Sequence, residues 1–343
     1  MTRIRKNPST SISIKDVARL AGVSITTVSR VINKFPTVKE KSRIRVIEAI
    51  KQLKFQPSVY AQRLASGKSN VVTLVIPRYE GIFYSFYALE LIRGIGTMCA
   101  ALNLDLLLHL ADGTTQLSVK GTGGAIFADV ISNRQQLEDV LSLGVPCIVI
   151  NNRVEDLEVS YIAIDNLTGA KNAVEYLIGL GHKKIAHISG DFITQAARER
   201  LEGYKKALKE KNIPFHEKYV FKTDFSRGQA RQAAEKLFKM EGRPTAVFVA
   251  SDSMALEVMA VAHELGREIP RDLSIVGFDD NPSGLYGPVA LTTVRQPLIK
   301  MAQESVKELH RLMSHKKEKI KKLILPTELV IRESARALSS GRR

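Results

Sequence analysis

The first helical pattern of the chain lies between Ser13 and Gly22. Ser13 followed by Asp16 is the signature of a capping box, in which each side chain binds an unpaired amide at the start of a helix. Gly22 can take a positive φ and end that helix at little steric cost. Between them, the apolar positions form one small face: Val17, Ala18 and Ala21. The pattern predicts a short amphipathic helix.

A second short helix is predicted from residue 25 to 33, with Ser24 as its N-cap. Its apolar side chains share one side of a 3.6-residue wheel: Val28, Val31 and Ile32. Its polar side chains share the other: Thr26, Ser29, Arg30 and Asn33. Two short helices around a tight turn, the second with a free polar side, predict a helix-turn-helix whose recognition helix enters the DNA major groove.

A third helix is predicted to begin at a capping box formed by Thr37 and Glu40. Its inner stripe is expected to contain the apolar residues Val46, Ile47, Ile50 and Leu53. After it, Pro57 introduces a further short element at 58–65, which is followed by a polar linker. Gly67, Lys68 and Ser69 do not form a phosphate loop, because position 62, where its first glycine belongs, is Gln62.

From Val71 onward, apolar runs alternate with amphipathic helices. The predicted strands are 71–76, 104–110, 125–128, 147–151, 161–164, 185–189, 219–221, 246–250, 274–278 and 291–294. The predicted helices include 167–180, 197–211, 226–239, 253–265 and 301–313. Continuous apolar strands joined by helical crossovers indicate doubly wound parallel sheets. Ten strands are too many for one compact sheet, so the pattern predicts two α/β lobes.

Charge is concentrated at one end of the chain. Residues 1–70 hold fifteen Lys or Arg against three acids, a net charge of +12, so only +4 remains for the other 273 residues. A basic unit on a nearly balanced body is typical of nucleic-acid binding. No apolar run reaches the length of a membrane span. Cys99 and Cys147 lack CxxC spacing, as expected for buried thiols in the cytoplasm.

The longer motifs resemble those of the lactose-repressor (LacI/GalR) family of bacterial transcription regulators. The first matches are DVARLAGVS, TTVSRVIN and the segment FQPSVYAQRLASGKS. The later ones are GHKKIAHISG, RLEGYKKAL, SDSMALEVM, SIVGFDD, LTTVRQP and LPTELVIRES. The resemblance runs from about residue 12 to 334. It implies a periplasmic-binding-protein-like core with two lobes, behind a helix-turn-helix domain and a hinge helix.

This resemblance implies a division into domains. Residues 1–56 would form the DNA-binding domain with a basic arm, 57–70 the hinge helix and linker, 71–335 the core, and 336–343 a tail. Within the core, lobe 1 would comprise about 71–164 and 295–325, and lobe 2 about 165–294 and 326–335. The chain would cross between the lobes near Asp165, Arg295 and Pro326.

The resemblance also implies which residues contact DNA. Ile25, Thr26 and Arg30 would face base edges, and Leu64 would wedge into the minor groove. Ser24, Asn33 and Ser42 would contact phosphates, and Lys39 would lie on the phosphate side. The complete set of expected DNA-binding residues is Ser13, Ser24, Ile25, Thr26, Thr27, Arg30, Asn33, Val38, Lys39, Ser42, Tyr60, Ala61 and Leu64.

An effector site is expected in the cleft between the lobes, beyond the carboxyl ends of the strands. The resemblance places Phe83, Tyr84, Asn151, Arg198, Arg200, Phe225, Ser251 with the adjacent Asp252, Asp279 and Gln296 there. Arginine and aspartate bind hydroxyl groups and an aromatic ring stacks on a sugar ring, so the expected effector is a sugar or a related polar ring compound. In the motif INNR the alignment leaves open whether Asn151 or Asn152 belongs to the site.

The chain departs from the family pattern in two segments of the first lobe. The helix after Tyr84 is about one turn longer than usual, and the segment 110–124 is short and rich in Gly and Thr. A helix common in relatives is therefore expected to be replaced by a turn or strand there.

The resulting interpretation is an effector-controlled transcriptional regulator, most simply a repressor. One recognition helix reads only half of a site, so a homodimer on a pseudo-palindromic operator is expected. No catalytic motif, metal-binding spacing or cofactor fingerprint occurs in the sequence. Three rival classes compete with this interpretation: a tethered solute-binding protein, an enzyme fused to a DNA-binding head, and an architectural DNA binder.

Overall fold

The computed structural model describes residues 12–33, 35–55, 69–78, 82–114, 117–314 and 319–338. The chain divides into two units, Met1–Asn70 and Val71–Arg343. The predicted hinge helix at 58–65, with Tyr60, Ala61 and Leu64, lies outside the described residues. In the part of the chain that is described, no helix is long and apolar enough to cross a membrane.

The first unit contains three helices, α1 (Ile14–Ala21), α2 (Ile25–Ile32) and α3 (Glu40–Leu53). The Asp16 carboxylate accepts hydrogen bonds from the backbone N (3.0 Å) and Oγ (2.7 Å) of Ser13. Gly22 ends α1 at φ 62°. Small side chains fill the core between the helices: Val17, Ala18, Ala21, Val28, Val31, Val46 and Ala49. The predicted helix-turn-helix is confirmed.

Two details predicted for α3 are wrong. Thr37 does not cap the helix, because residues 36–38 form a turn and the helix begins at Glu40, after Lys39. Glu40 is therefore the first helical residue and not the third, as a capping box requires. Ile47 is 42% exposed and does not belong to the inner face. Its side chain is rotated by about 100° from that of Val46, which is fully buried.

The first lobe of the second unit is a six-stranded parallel sheet. Its strands follow the order β11-β5-β4-β3-β1-β2. They are β1 (Val71–Pro77), β2 (Asp105–Ala111), β3 (Gly124–Ala128), β4 (Cys147–Ile150), β5 (Ser160–Ile164) and β11 (Lys322–Leu325). The helices of this lobe are α4 (Phe86–Ala101), α5 (Arg134–Ser142) and α10 (Leu298–Ser314). Helix α10 packs against α4 and against the middle of the sheet.

The second lobe has a four-stranded parallel sheet in the order β7-β6-β8-β9. Its strands are β6 (Ile185–Ser189), β7 (Val220–Lys222), β8 (Ala246–Val249) and β9 (Ser274–Val276). Its helices are α6 (Asn166–Gly179), α7 (Gln195–Glu210), α8 (Arg227–Lys239) and α9 (Asp252–Glu264). Two parallel sheets with helical connections confirm the predicted α/β class.

The lobes are joined by three passages of the chain. Strand β5 ends in the first sheet, and α6 begins two residues later in the second lobe. The other two passages contain β10 (Thr293–Arg295) and β12 (Glu328–Val330), which pair antiparallel as a small separate sheet. Strand β10 leads into α10 of the first lobe, and β12 returns from β11. The crossing strands are therefore hydrogen-bonded to each other.

Some predicted boundaries in the core are wrong. Tyr219 lies in a 3₁₀ turn, Glu217–Tyr219, and the following strand starts at Val220. Strand β10 is shorter than the predicted run 291–294 and is shifted toward Arg295. Strands β11 and β12 were not predicted at all. The described residues at 112–114 and 117–123 contain no helix, in line with the expected departure from the family pattern.

Helices α6 and α7 approach closely at Gly203. A Cβ on this residue would lie 2.3 Å from the backbone oxygen of Leu167 and 2.8 Å from the Cβ of Ala170. Backbone cannot yield as a flexible side chain does, so only glycine fits at this crossing. Gly228 in α8 offers the opposite case, since a Cβ there would meet no atom within 4 Å.

We predict that Gly203→Ala lowers the free energy of unfolding by about 1–3 kcal/mol, because the helices must separate. Gly228→Ala, the matched control, should be neutral or stabilising by up to about 1 kcal/mol, because it restricts the unfolded chain without a clash. Urea unfolding of both variants measures the difference. Equal stabilities for the two variants would contradict the close approach of α6 and α7.

Candidate functional site

Helix α2 presents a polar face to solvent. Ile25 is 44% exposed, and Thr26 and Arg30 are also exposed. Val28 and Val31 point into the core and fix the orientation of the helix. The three residues expected to face base edges are therefore free to contact another molecule.

Some of the expected DNA-binding residues at the ends of α2 form hydrogen bonds with nearby residues of the same helix. Ser24 Oγ accepts a hydrogen bond from Thr27 N (3.1 Å) and lies 2.9 Å from Thr27 Oγ1. Asn33 Nδ2 donates to Ser29 Oγ at 3.4 Å. Of the other expected contacts, Lys39 is exposed, and Ser13, Val38 and Ser42 are half-buried. The described DNA-binding residues remain predictions, as do Tyr60, Ala61 and Leu64 outside the described part.

In the first lobe, two polar residues directly follow neighbouring strands. Asp129 comes after β3 at φ 60°, and Asn151 after β4 at φ 65°. The Nδ2 of Asn151 donates to Asp129 Oδ1 at 2.8 Å. Asn152 Oδ1 instead accepts from Val130 N at 3.0 Å. Of the two asparagines left open by the sequence, Asn151 is the one that joins this carboxylate.

Arg200 projects from α7 into the second lobe, where it is 4% exposed. Its Nε donates to Asn166 Oδ1 (3.0 Å), and its Nη1 donates to the backbone oxygen of Ala250 (2.5 Å). Its Cζ lies 3.8 Å from the centroid of the Phe278 ring, a cation–π distance. These contacts fix the guanidinium plane.

Asp279 lies after β9 at the same edge of the second sheet. Its carboxylate accepts a hydrogen bond from Gln296 Nε2. Gln296 is 7% exposed, and its Oε1 has no partner among the described residues. The neighbouring Asp252 is fully buried and holds the local backbone in place, since it accepts from Asn281 N (2.7 Å) and Thr293 Oγ1 (2.6 Å).

Four carboxylates surround the Arg200 guanidinium: Asp129, Asp252, Asp279 and Glu199. Burial raises the pKa of Asp279, while the charge of Arg200 and the bond from Gln296 oppose that shift. Burial also raises the pKa of Asp252, and so does the charge of Asp279. In the other lobe, burial raises the pKa of Asp129 against the opposing influence of Asn151. The four acids outnumber the guanidinium groups beside them, those of Arg200 and, next to Glu199, Arg153.

Direct contacts join the two lobes beside this cluster. The backbone N of Arg153, in the first lobe, donates to Gln195 Oε1 at 2.7 Å. Gln195 Nε2 donates to the backbone oxygen of Arg153 at 3.2 Å. The Arg153 guanidinium also lies 3.4 Å from Glu199. Since Gln195 and Glu199 belong to α7, the helix of Arg200 touches both lobes.

Phe225 forms one wall beside the strand ends of the second lobe. It follows β7 at φ 66°, a conformation that a bulky side chain rarely adopts. Its ring covers Gly190, where a Cβ would lie 2.0 Å from ring atoms. Gly190 therefore makes room for the ring, which remains half-buried.

The other expected effector residues have different surroundings. Arg198 is exposed, and its Nη1 donates to the backbone oxygens of Phe192 (2.6 Å) and Ile193 (2.9 Å). Ser251 caps α9 and accepts from Met254 N at 3.4 Å. Phe83 and Tyr84 lie in a 3₁₀ turn with exposures of 50% and 92%. Their assignment to the effector site remains a prediction.

Sequence reasoning missed four members of the cluster: Asp129, Glu199, Asn166 and Tyr87. Asp129 follows a correctly placed strand, so its position at a strand end was a usable signal. Asn166 and Tyr87 gave no signal in the sequence, because Asn166 acts through its hydrogen bond with Arg200 and Tyr87 through its hydrogen bond with Asp129. Nowhere in the described ranges do three His, Cys, Asp or Glu residues gather as metal ligands would.

Two protein families match this chain. Residues 13–58 match the bacterial regulatory proteins of the lacI family, and residues 174–335 match the periplasmic binding protein-like domain. The HTH-type transcriptional regulator DegA of Bacillus subtilis (strain 168) is 33% identical over 339 residues, covering 96% of this chain and 99% of DegA. Catabolite control protein A of Priestia megaterium is 32% identical over 337 residues, covering 95% and 100%.

Solved structures that are similar to this chain come from the same kind of regulator. The lac repressor dimer bound to operator and the anti-inducer ONPF is similar with a TM-score of 0.80 and 27% identity, covering 95% of this chain and 99% of that one. The CelR–cellobiose complex gives a TM-score of 0.71 and 28% identity, covering 94% and 100%. A helix-turn-helix unit followed by a two-lobed binding core defines a ligand-responsive DNA-binding regulator. This chain belongs to the LacI family of bacterial transcriptional regulators.

We predict that Asp279→Asn stabilises the ligand-free protein at pH 7 by about 1–2 kcal/mol, because it removes a buried charge beside Asp252. A raised folded-state pKa means that protonation of Asp279 favours the folded state, and this contribution is lost as pH rises through that pKa. The variant and the wild type should therefore converge below about pH 4, the ordinary aspartate range. Thermal melting across pH measures this. A variant less stable than the wild type at pH 7 contradicts the electrostatic account.

Proposed function

We propose that this protein is a sequence-specific transcriptional repressor that binds a pseudo-palindromic operator as a homodimer and releases or engages it under control of a small molecule. One observation carries the proposal: a capped helix-turn-helix with an exposed polar face stands on the same chain as a cluster of buried polar groups at the strand ends of two lobes. A solute-binding protein has no use for the first feature, and an architectural DNA binder has none for the second.

The DNA-binding half of the proposal rests on charge and exposure. Residues 1–70 carry a net charge of +12, which favours association with phosphates. Arg30 and Thr26 on α2 can reach base edges. Lys39 lies beyond the end of α2 and can contact the phosphates of the DNA backbone. A single α2 covers a half-site, so two chains are required for a palindrome. The lac repressor relative is a dimer bound to operator.

The effector half of the proposal rests on the groups around Arg200. Asn151 Oδ1 and Gln296 Oε1 are buried acceptors without a partner among the described residues. Asp129 and Asp279 add carboxylate oxygens that face the guanidinium of Arg200, and the acids of the cluster outnumber its guanidinium groups. A surplus of acceptors favours a ligand rich in hydroxyl donors and without negative charge. We assign the effector to the sugars or related polar ring compounds, with Phe225 stacked on the ring.

Relatives support this class of ligand. One solved relative is a CelR complex with cellobiose, and another, from Enterococcus faecium, holds bound ribose with 26% identity and a TM-score of 0.72. A catalytic step forms no part of the proposed function, because the cluster has acids and amides without a nucleophile beside a base. Arg200 and the carboxylates are assigned to binding.

For DNA recognition, Arg30→Ala is expected to cost about 1–3 kcal/mol on the cognate site and to relax specificity there. Lys39→Ala should weaken binding to all sequences alike and reduce the salt dependence by about one phosphate contact. Duplexes selected from a random library by the wild type provide the cognate site. Gel shifts on cognate and scrambled duplexes, at several salt concentrations, separate the two kinds of loss.

Lys15→Ala, in exposed α1, is the matched control for loss of one positive charge. An equal loss for Arg30→Ala on cognate and scrambled DNA would disprove base reading by Arg30. A wild type that selects no sequence from the library would disprove the proposed function itself.

For effector binding, neutral sugars should raise the melting temperature of the wild type, while matched anionic compounds should not. Suitable probes are ribose, glucose, galactose and cellobiose, set against glucuronate and glucose 6-phosphate. Arg200→Ala should abolish the shift for a responding sugar while leaving operator binding near normal. Lys209→Ala, on the exposed side of the same helix, is the control. Unchanged affinity of Arg200→Ala in calorimetry would exclude the cleft as the effector site.

A further inference from the structure

Asp279 and Asp280 are neighbours whose side chains serve different parts of the molecule. Both have positive φ, 136° and 59°, so the backbone turns sharply between β9 and the next segment. Asp279 faces the charge of Arg200 and accepts from Gln296 in the cleft. Asp280 faces the crossing strands β10 and β12. One turn of backbone thus separates an effector contact from the connections between the lobes.

Asp280 binds two arginines with its two carboxylate oxygens. Oδ2 accepts from Arg295 Nε at 2.7 Å, and Oδ1 accepts from Arg332 Nη2 at 2.5 Å. The Asp280 side chain is 15% exposed and that of Arg332 is 17% exposed. Charge-assisted bonds that are shielded from water are stronger than those of exposed pairs. Burial would raise the pKa of Asp280, but the bonds from the two arginines hold it below its ordinary value.

The two arginines belong to different passages of the chain. Arg295 lies in β10, directly before the segment that enters α10 of the first lobe. Arg332 follows β12, the strand that returns from β11 of the first lobe. Arg295 Nη1 also donates to Glu328 Oε2 at 2.9 Å, across the β10–β12 pair. The carboxylate of Asp280 therefore ties both passages, at Arg295 in β10 and at Arg332 after β12, to the loop that carries Asp279.

Backbone contacts complete the connection. Asp279 N donates to the backbone oxygen of Val294 at 2.8 Å, and Asp279 forms an isolated bridge with Arg295. Displacement of the loop that carries Asp279 must therefore move β10. Asp280 adds a direct link from this loop to Arg332, which follows β12 and also donates through Nη1 to the backbone oxygen of Leu291 at 2.8 Å.

We propose that Asp280 is a positioning residue that fixes the angle between the lobes, so that an effector contact at Asp279 is transmitted to both crossing strands together. Asp280 itself is assigned no contact with the effector. This inference rests on the proposed effector control for its biological meaning. Its physical content, a charge clamp between the loop and two interlobe strands, requires neither effector nor operator to be tested.

The test measures the distance between the lobes in the full-length, ligand-free protein. Ser142→Cys in α5 and Lys209→Cys in α7 supply exposed labelling sites on the first and second lobes. The native thiols interfere little, since burial raises the pKa of Cys99 to about 11 and that of Cys147 to about 12. Single-molecule fluorescence energy transfer then reports the distribution of interlobe distances.

Asp280→Asn is the informative variant. Asparagine has nearly the shape of aspartate and tolerates the left-handed conformation at φ 59°, so the change removes charge with little added strain. We expect the distance distribution to broaden and shift relative to the wild type, in protein whose melting remains cooperative. Glu264→Gln, which removes an ion pair with Arg231 between α8 and α9, is the control and should leave the distribution unchanged.

Glu328→Gln is a second, milder variant, for the case that Asp280→Asn does not fold. Glu328 is 67% exposed, and the change removes its ion pair with Arg295. We expect Glu328→Gln to broaden and shift the distribution of interlobe distances as Asp280→Asn does, but by a smaller amount. A purely structural role for Asp280 would lower the melting temperature without altering the distances in folded molecules. That result, or an equal broadening in Glu264→Gln, would overturn the proposal.

Discussion

The polar cluster at the strand ends of the two lobes is organised around one buried guanidinium. Arg200 is removed from water in the second lobe, and an isolated charge there would cost several kcal/mol. Asn166, the backbone of Ala250 and the Phe278 ring offset part of that cost. The surrounding carboxylates supply the rest of the compensation. Because those carboxylates come from both lobes, the charge of Arg200 acts on the strand ends of both sheets.

Backbone strain collects at the same place. Asp129, Asn151, Phe225, Asp279 and Asp280 all have positive φ, and all directly follow strands or lie in the turns after them. Each non-glycine residue in such a conformation costs of order 1 kcal/mol or more, and strain of this kind persists only where surrounding contacts enforce it. Because these residues cluster at the carboxyl edges of the two sheets, the strained turns set the directions of their side chains at some cost in stability.

The sequence predicted those features whose interacting residues are close together along the chain. The α1–turn–α2 unit rests on Ser13, Gly22 and Ser24, whose partners lie within a few residues, so its prediction is confirmed. Thr37 shows the limit, because a capping pattern does not determine where the helix starts. Asp129 and Asp280 were missed for a different reason: their partners are 71 and 52 residues away in Arg200 and Arg332. Only the folded sheets bring such pairs together.

Control by a ligand then follows from where the charges lie. A ligand shifts an equilibrium only by its difference in affinity between two arrangements. In this structure Arg153 contacts Gln195 and Glu199 across the lobes, so the arrangement is held in part by contacts between the lobes themselves. A hydroxyl-rich molecule that satisfies Asn151 and the acids facing Arg200 must contact both lobes at once. Its binding energy is therefore available to select the arrangement in which those groups converge, with no need for further contacts elsewhere.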